Sequence, residues 1–162
     1  MPSASWFPAR GLNRRLGAVI RRALPDDTPA IASLLRRSFG TLTFLPTLHT
    51  PEEDREFFGR AVAHDEVWVW DEDGRVRGFA ALGDGMIEHL YVDPDDQRRG
   101  VGTGLLDHAK FRRPSGLRLW TFQRNENARC FYESRGFRCI ELTDGSANEE
   151  REPDALYEWT PD

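Results

Sequence analysis

The stretch from Leu90 to Gly104, Leu-Tyr-Val-Asp-Pro-Asp-Asp-Gln-Arg-Arg-Gly-Val-Gly-Thr-Gly, limits the possible folds more than any other part of the chain. A β-rich run ending at Val92 passes through an acidic loop into Gly100, Gly102 and Gly104, and from there into an apolar helical stripe of Val101, Leu105, Leu106 and Ala109. Alternate glycines strip side chains from a helix start. Its unpaired N–H groups are then open to close approach, and the helix dipole adds favourable potential for an anion. Arg98 and Arg99, just before the turn, add charge and donors suited to a further phosphate group. The chain therefore reads as α/β, with a phosphate-binding turn between a strand and a helix.

Spacing separates three kinds of phosphate turn. A nucleotide P-loop requires Lys then Ser or Thr after its last Gly, where this chain has Leu105 and Leu106. A dinucleotide fingerprint requires a small residue at position 105 and an acidic residue about twenty positions on; Leu105 and the Arg118–Trp120 run supply neither. A nucleotide-binding regulator is disfavoured on the same ground.

The remaining elements follow from periodicity and punctuation. Val19–Ala23 reads as a strand, followed by a helix capped by Thr28, with Pro29 in its first turn, Ile31, Leu34, Leu35 and Phe39 inward, and Gly40 as a left-handed terminus. Thr50-Pro51-Glu52-Glu53 forms a capping box for a second helix that buries Phe57, Phe58, Ala61 and Val62. Val67–Trp70 and Val76–Leu82 flank an Asp73-Gly74 hairpin turn, and Met86–Val92 makes a third sheet strand. A helix over Val101–Phe111, a strand over Leu117–Phe122, a helix over Asn127–Arg135 ended by Gly136, and strands over Phe137–Leu142 and Ala155–Trp159 complete the domain. Residues 1–18 show no sustained period and are read as a flexible extension, leaving 19–162 as one domain.

A net charge of −5 gives no overall positive field for a phosphate backbone, so nucleic acid is excluded as a general partner. No apolar run is long enough to cross a membrane and the start lacks a secretory signal pattern, which points to a soluble, cytoplasmic protein. Cys130 and Cys139 lack zinc-site spacing and are read as packing residues; no metal site is expected.

The run Gln97-Arg98-Arg99-Gly100-Val101-Gly102-Thr103-Gly104 resembles the pyrophosphate-binding signature of the GNAT acetyltransferases. Asn125 before a helix, Tyr132 near its end, and Gly136-Phe137 follow in that family's order. The resemblance extends over Val19–Trp159. It implies a mixed central sheet of about six to seven strands, about four flanking helices and a splayed strand pair forming an acetyl-CoA cleft. It further implies acetyl-CoA as co-substrate, backbone groups of Leu90, Tyr91 and Val92 toward the pantetheine arm, the 97–104 turn on the pyrophosphate, and Asn125 on the cofactor arm.

Acetyl transfer to an alkyl amine, with a pKa of about 10, needs a proton acceptor. By the same resemblance Glu88 lies on the strand beside the acetyl group, with His89 as rival. Adjacent strand residues face opposite ways, so both reach the cleft only if a bulge re-aims one. Tyr132 matches the tyrosine that serves relatives as general acid toward the departing thiolate. Neither cysteine is placed as a nucleophile, which favours direct transfer. The acid-rich loop Thr143–Asp154 favours a cationic amine, a small molecule or a peptide, and Trp68, Trp70, Trp120, Phe122 and Trp159 could line a pocket for an apolar body. A non-catalytic acetyl-CoA sensor of the same fold is the alternative, and a homodimer is allowed.

Overall fold

Seven strands and four α-helices alternate through the described residues, 17–162, of a computed structural model. The expected N-terminal extension lies outside them except for residues 17 and 18, and the first strand begins one residue earlier than the pattern suggested. In order, the elements are β1 (Ala18–Arg22), α1 (Thr28–Gly40), α2 (Pro51–His64), β2 (Glu66–Glu72), β3 (Arg75–Leu82) and β4 (Ile87–Val92). There follow α3 (Val101–Arg112), β5 (Leu117–Phe122), α4 (Glu126–Glu133), β6 (Arg138–Leu142) and β7 (Asp154–Trp159). Among the described residues no helix is long and apolar enough to cross a membrane.

The strands form two antiparallel sheets, β1-β2-β3-β4 and β5-β7-β6, which meet through one parallel bridge, Met86 with Arg118. There the Arg118 amide donates to the Gly85 carbonyl at 2.8 Å. Beyond that point β4 and β5 part, giving the splayed pair.

Period-two alternation sorts the first sheet's side chains. Val67, Val69, Phe79 and Ala81 pack with Ile31, Leu34, Phe58, Ala61 and Val62 beneath α1 and α2. Trp70, Ala80 and Leu82 pack on the other face against Val101, Leu105, Leu106 and Ala109 of α3. The hairpin between β2 and β3 turns through Asp73 and Gly74, both at positive φ, as a two-residue turn of matching twist requires.

Local caps explain the helix starts, and tertiary partners explain where they differ from expectation. Thr50 accepts from the Glu53 amide at 3.2 Å while Glu53 accepts from the Thr50 amide at 2.7 Å, completing the capping box. Thr28 is the first helical residue of α1 rather than its cap. Asp27 holds the cap position, but its carboxylate is bound by Arg21 at 2.8 and 3.0 Å and by the Leu24 amide. Gly40 remains inside α1, and Thr41 closes the helix in a right-handed conformation with its hydroxyl on the Ser38 carbonyl at 2.6 Å. In α2, Phe57 is about half exposed instead of buried, and Asp54 lies inside, paired with Arg36 at 2.6 Å. Both cysteines are exposed, Cys130 on α4 and Cys139 on β6, so neither is a packing residue.

Candidate functional site

A cavity of about 880 Å³ opens beside the splay of β4 and β5. One wall is aromatic, with Phe39, Phe57, Phe58, Tyr91, Trp120 and Phe122. The α1–α2 connection, including residues 45–49, and the β6–β7 loop rim it. Glu53, Asp54, Glu88, Glu149, Glu150 and Asp154 outnumber Arg36 and Arg60 around it, and Asp54 is neutralised by Arg36. The field in the cavity is therefore negative. Of the five aromatic residues that the sequence offered as pocket lining, Trp120 and Phe122 reach the cavity. Trp68, Trp70 and Trp159 pack with the α3-side core instead.

Glu88 and His89 both line this cavity, and a β-bulge is the reason. The register runs Ala81 with His89 and then Leu82 with Ile87, leaving Glu88 as the extra residue on β4. Alternation is thereby reset: Ile87, Leu90 and Val92 all belong to the α3-side core, while His89 and Tyr91 turn toward α1 and α2. The His89 ring lies 5.3 Å from that of Phe58 and 5.8 Å from that of Phe57. Burial lowers its pKa, so the imidazole is neutral at pH 7 and can accept a proton. Glu88 is exposed within the same space, with its carboxylate folded against Gly83.

Tyr132 comes up from α4 on the far side of the splay and is buried in the α3-side core. Burial pushes its phenol up, and burial also pushes up Tyr91, with smaller contributions from the neighbouring Tyr132 and Glu150. Both hydroxyls stay protonated across the physiological range and can donate.

At the glycine turn Gly100 adopts φ +87°, in the left-handed region, and caps α3. The amides of Val101, Gly102 and Thr103 have no carbonyl one turn back within the helix, so this helix start offers backbone donors of the kind an anion accepts. Gly104 has a different reason to be glycine: a Cβ there would overlap the buried Trp70 ring. Gly104→Ala is expected to destabilise the fold by about 1–3 kcal/mol through overpacking, read as a fall in melting temperature. Gln97, Arg98 and Arg99 are exposed, and Thr103 accepts from Arg135 at 2.5 Å. Asn125 caps α4, its Oδ1 accepting from the Ala128 amide at 3.2 Å. On β4, Leu90 and Tyr91 pair with Ala80 and Phe79 across one edge, and the Val92 carbonyl accepts from the Ser38 hydroxyl at 2.8 Å. Asn125 thus has a structural role of its own, as the cap of α4.

A family model described as an acetyltransferase (GNAT) domain matches residues 63–139. The peptidyl-lysine N-acetyltransferase YjaB of Salmonella typhimurium is 30% identical over 122 residues, covering 74% of this chain and 82% of that protein. The chain belongs to the GNAT acetyltransferase family. The peptidyl-lysine N-acetyltransferase YiaC of Escherichia coli is 35% identical over 81 residues, which is 49% of this chain and 55% of that protein, so the match spans about half of that relative. The PaiA N-acetyltransferase of Thermoplasma acidophilum, solved with coenzyme A, shares the fold at a TM-score of 0.72 and 20% identity, covering 90% of this chain and 100% of that one.

Several parts of this cavity left no clear mark in the sequence. Residues 45–49 line the cavity but carry no period that would flag them. His49 reaches across the rim to Glu149 at 3.1 Å, and that hydrogen bond raises its pKa. The β6–β7 loop, which composition alone leaves free to move, is bonded internally. Asn148 donates to the Glu152 carbonyl at 2.7 Å and to Asp154 at 3.0 Å, and Thr143 bonds Asp154.

Proposed function

We propose that this protein transfers the acetyl group of acetyl-CoA directly to a primary amine on a cationic acceptor, with a lysine side chain as the preferred class. The observation that carries this reading is the bulge at Glu88, which turns a carboxylate and a neutral imidazole into one negatively charged, aromatic-walled cavity at the β4–β5 splay. Aromatic walls suit a lysine's aliphatic stem, and the acidic rim suits its ammonium. Two relatives named as peptidyl-lysine N-acetyltransferases support the same class.

In this reading, acetyl-CoA supplies an activated thioester, its phosphates on the 97–104 turn and its arm along Leu90–Val92 and Asn125. Glu88 takes the ammonium proton, directly or through water, with His89 beside it as a second neutral acceptor. The amine nitrogen then bonds to the acetyl carbon as the carbon–sulfur bond breaks, and its surplus proton passes to the neutral His89 or to water. Tyr132 donates to the departing sulfur.

Thiol release from acetyl-CoA, measured across lysine peptides, polyamines, aminoglycosides and amino acids, tests the reading. Lysine peptides should turn over, and Glu150→Gln should raise KM for them about two- to fivefold at unchanged kcat, in keeping with one partly exposed charge. A neutral or aromatic amine as the sole substrate would sink the charge argument. Binding of acetyl-CoA with no amine reacting would favour a sensor.

A further inference from the structure

The loop that presents the glycine turn is braced by two buried carboxylates. Asp96 is 1% exposed, a costly place for a charge without partners. It accepts from Arg99 at 2.7 Å and from Arg77 of β3 at 3.2 Å, and Arg77 also reaches Glu72 of β2 at 3.3 Å. Asp93, at 4%, accepts from Arg37 of α1 at 2.6 Å and from the Asp95 amide at 3.0 Å, with Arg75 at 3.7 Å. Both ends of residues 93–96 are thus tied to the scaffold.

The Asp96–Arg99 brace spans Arg98, which sits at φ +60°, a conformation that L side chains rarely adopt and keep only when their surroundings enforce it. Charges balance within the brace: Asp96 and Glu72 face Arg77 and Arg99. Arg98 has no acidic partner among the described residues.

We propose that Asp96 is a positioning residue for the phosphate-binding turn, and that the two arginines differ in role. Arg99 is part of the frame that holds Arg98 and Gly100 in left-handed geometry, and Arg98 is the side chain that meets the donor's phosphates. This rests on the reading of the turn as the acetyl-CoA pyrophosphate site.

The sign of one substitution separates positioning from bulk electrostatics. Removing a negative charge beside a diphosphate should tighten binding, whereas removing a brace should weaken it. Titration calorimetry with CoA on Asp96→Asn, Arg99→Gln, their combination and Arg98→Ala makes the comparison. Asp96→Asn and Arg99→Gln should each raise Kd about tenfold, the pair should be no worse than either alone, and Arg98→Ala alone should flatten the salt dependence of binding.

S-acetylpantetheine, which has no phosphates, provides a readout that a general loss of structure would move. Its kcat/KM should be unchanged in Asp96→Asn while that for acetyl-CoA falls. Unchanged or tighter CoA binding by Asp96→Asn overturns the proposal, as does an equal loss with both donors or a flattened salt dependence in Arg99→Gln. Failure of the wild-type protein to bind CoA overturns the donor-site reading itself, and the proposal with it.

Discussion

Tyr132→Phe should lower kcat about a hundredfold, the low end of what a positioned proton donor contributes, while Kd for acetyl-CoA and the melting temperature stay near wild type. Selectivity for kcat follows from the position of the residue. The ring is 8% exposed and packs against Phe131 and Phe137 through its carbon skeleton, which phenylalanine reproduces. The hydroxyl makes no hydrogen bond to another described residue, so its loss strands no partner. Single-turnover kinetics with wild type and variant would isolate the chemical step. An unaltered kcat would remove Tyr132 from the chemistry and leave it a core residue.

Phe58→Ala should cost roughly 3–5 kcal/mol, the usual loss for a buried aromatic, and lower the melting temperature by roughly 6–20 °C. Phe58 is 1% exposed and sits at the junction of α2 with the sheet, its ring 5.3 Å from those of Phe79 and His89. The adjacent Phe57, 48% exposed on the cavity wall, is the internal control. Its truncation should cost under about 1 kcal/mol and act on acceptor KM instead. Thermal melts of both variants make the comparison, and equal losses would contradict a core role for Phe58 that Phe57 does not share.

Signals that act over a few residues were readable in advance. The Thr50–Glu53 box, the Asp73-Gly74 turn, the α3 stripe and the glycine cap each depend on neighbours within about one turn or one hairpin. Signals that depend on distant partners were not. Asp27 cannot use its carboxylate as a cap because Arg21 and the Leu24 amide hold it, and position 28 gives no hint of that. The division into two sheets depends on which strands pair. The bulge at Glu88 exists only in register with β3, so alternation along β4 alone placed Glu88 and His89 on opposite faces. Arg99 stands beside a phosphate turn, and nothing local shows that the buried Asp96 beneath it takes its guanidinium.

Among the described residues a single bridge, Met86 with Arg118, joins the backbones of the two sheets, which gives their seam the geometry of a pivot. From that pivot β4 runs six residues to Val92, a lever arm of roughly 20 Å at about 3.3 Å per residue. On an arm of that length a difference of about 5° at the pivot corresponds to nearly 2 Å at the far end, about half the width of a methylene chain. The width of the opening between β4 and β5 is therefore set by an angle, fixed at Gly85, Met86 and Arg118 rather than by any residue along the opening itself.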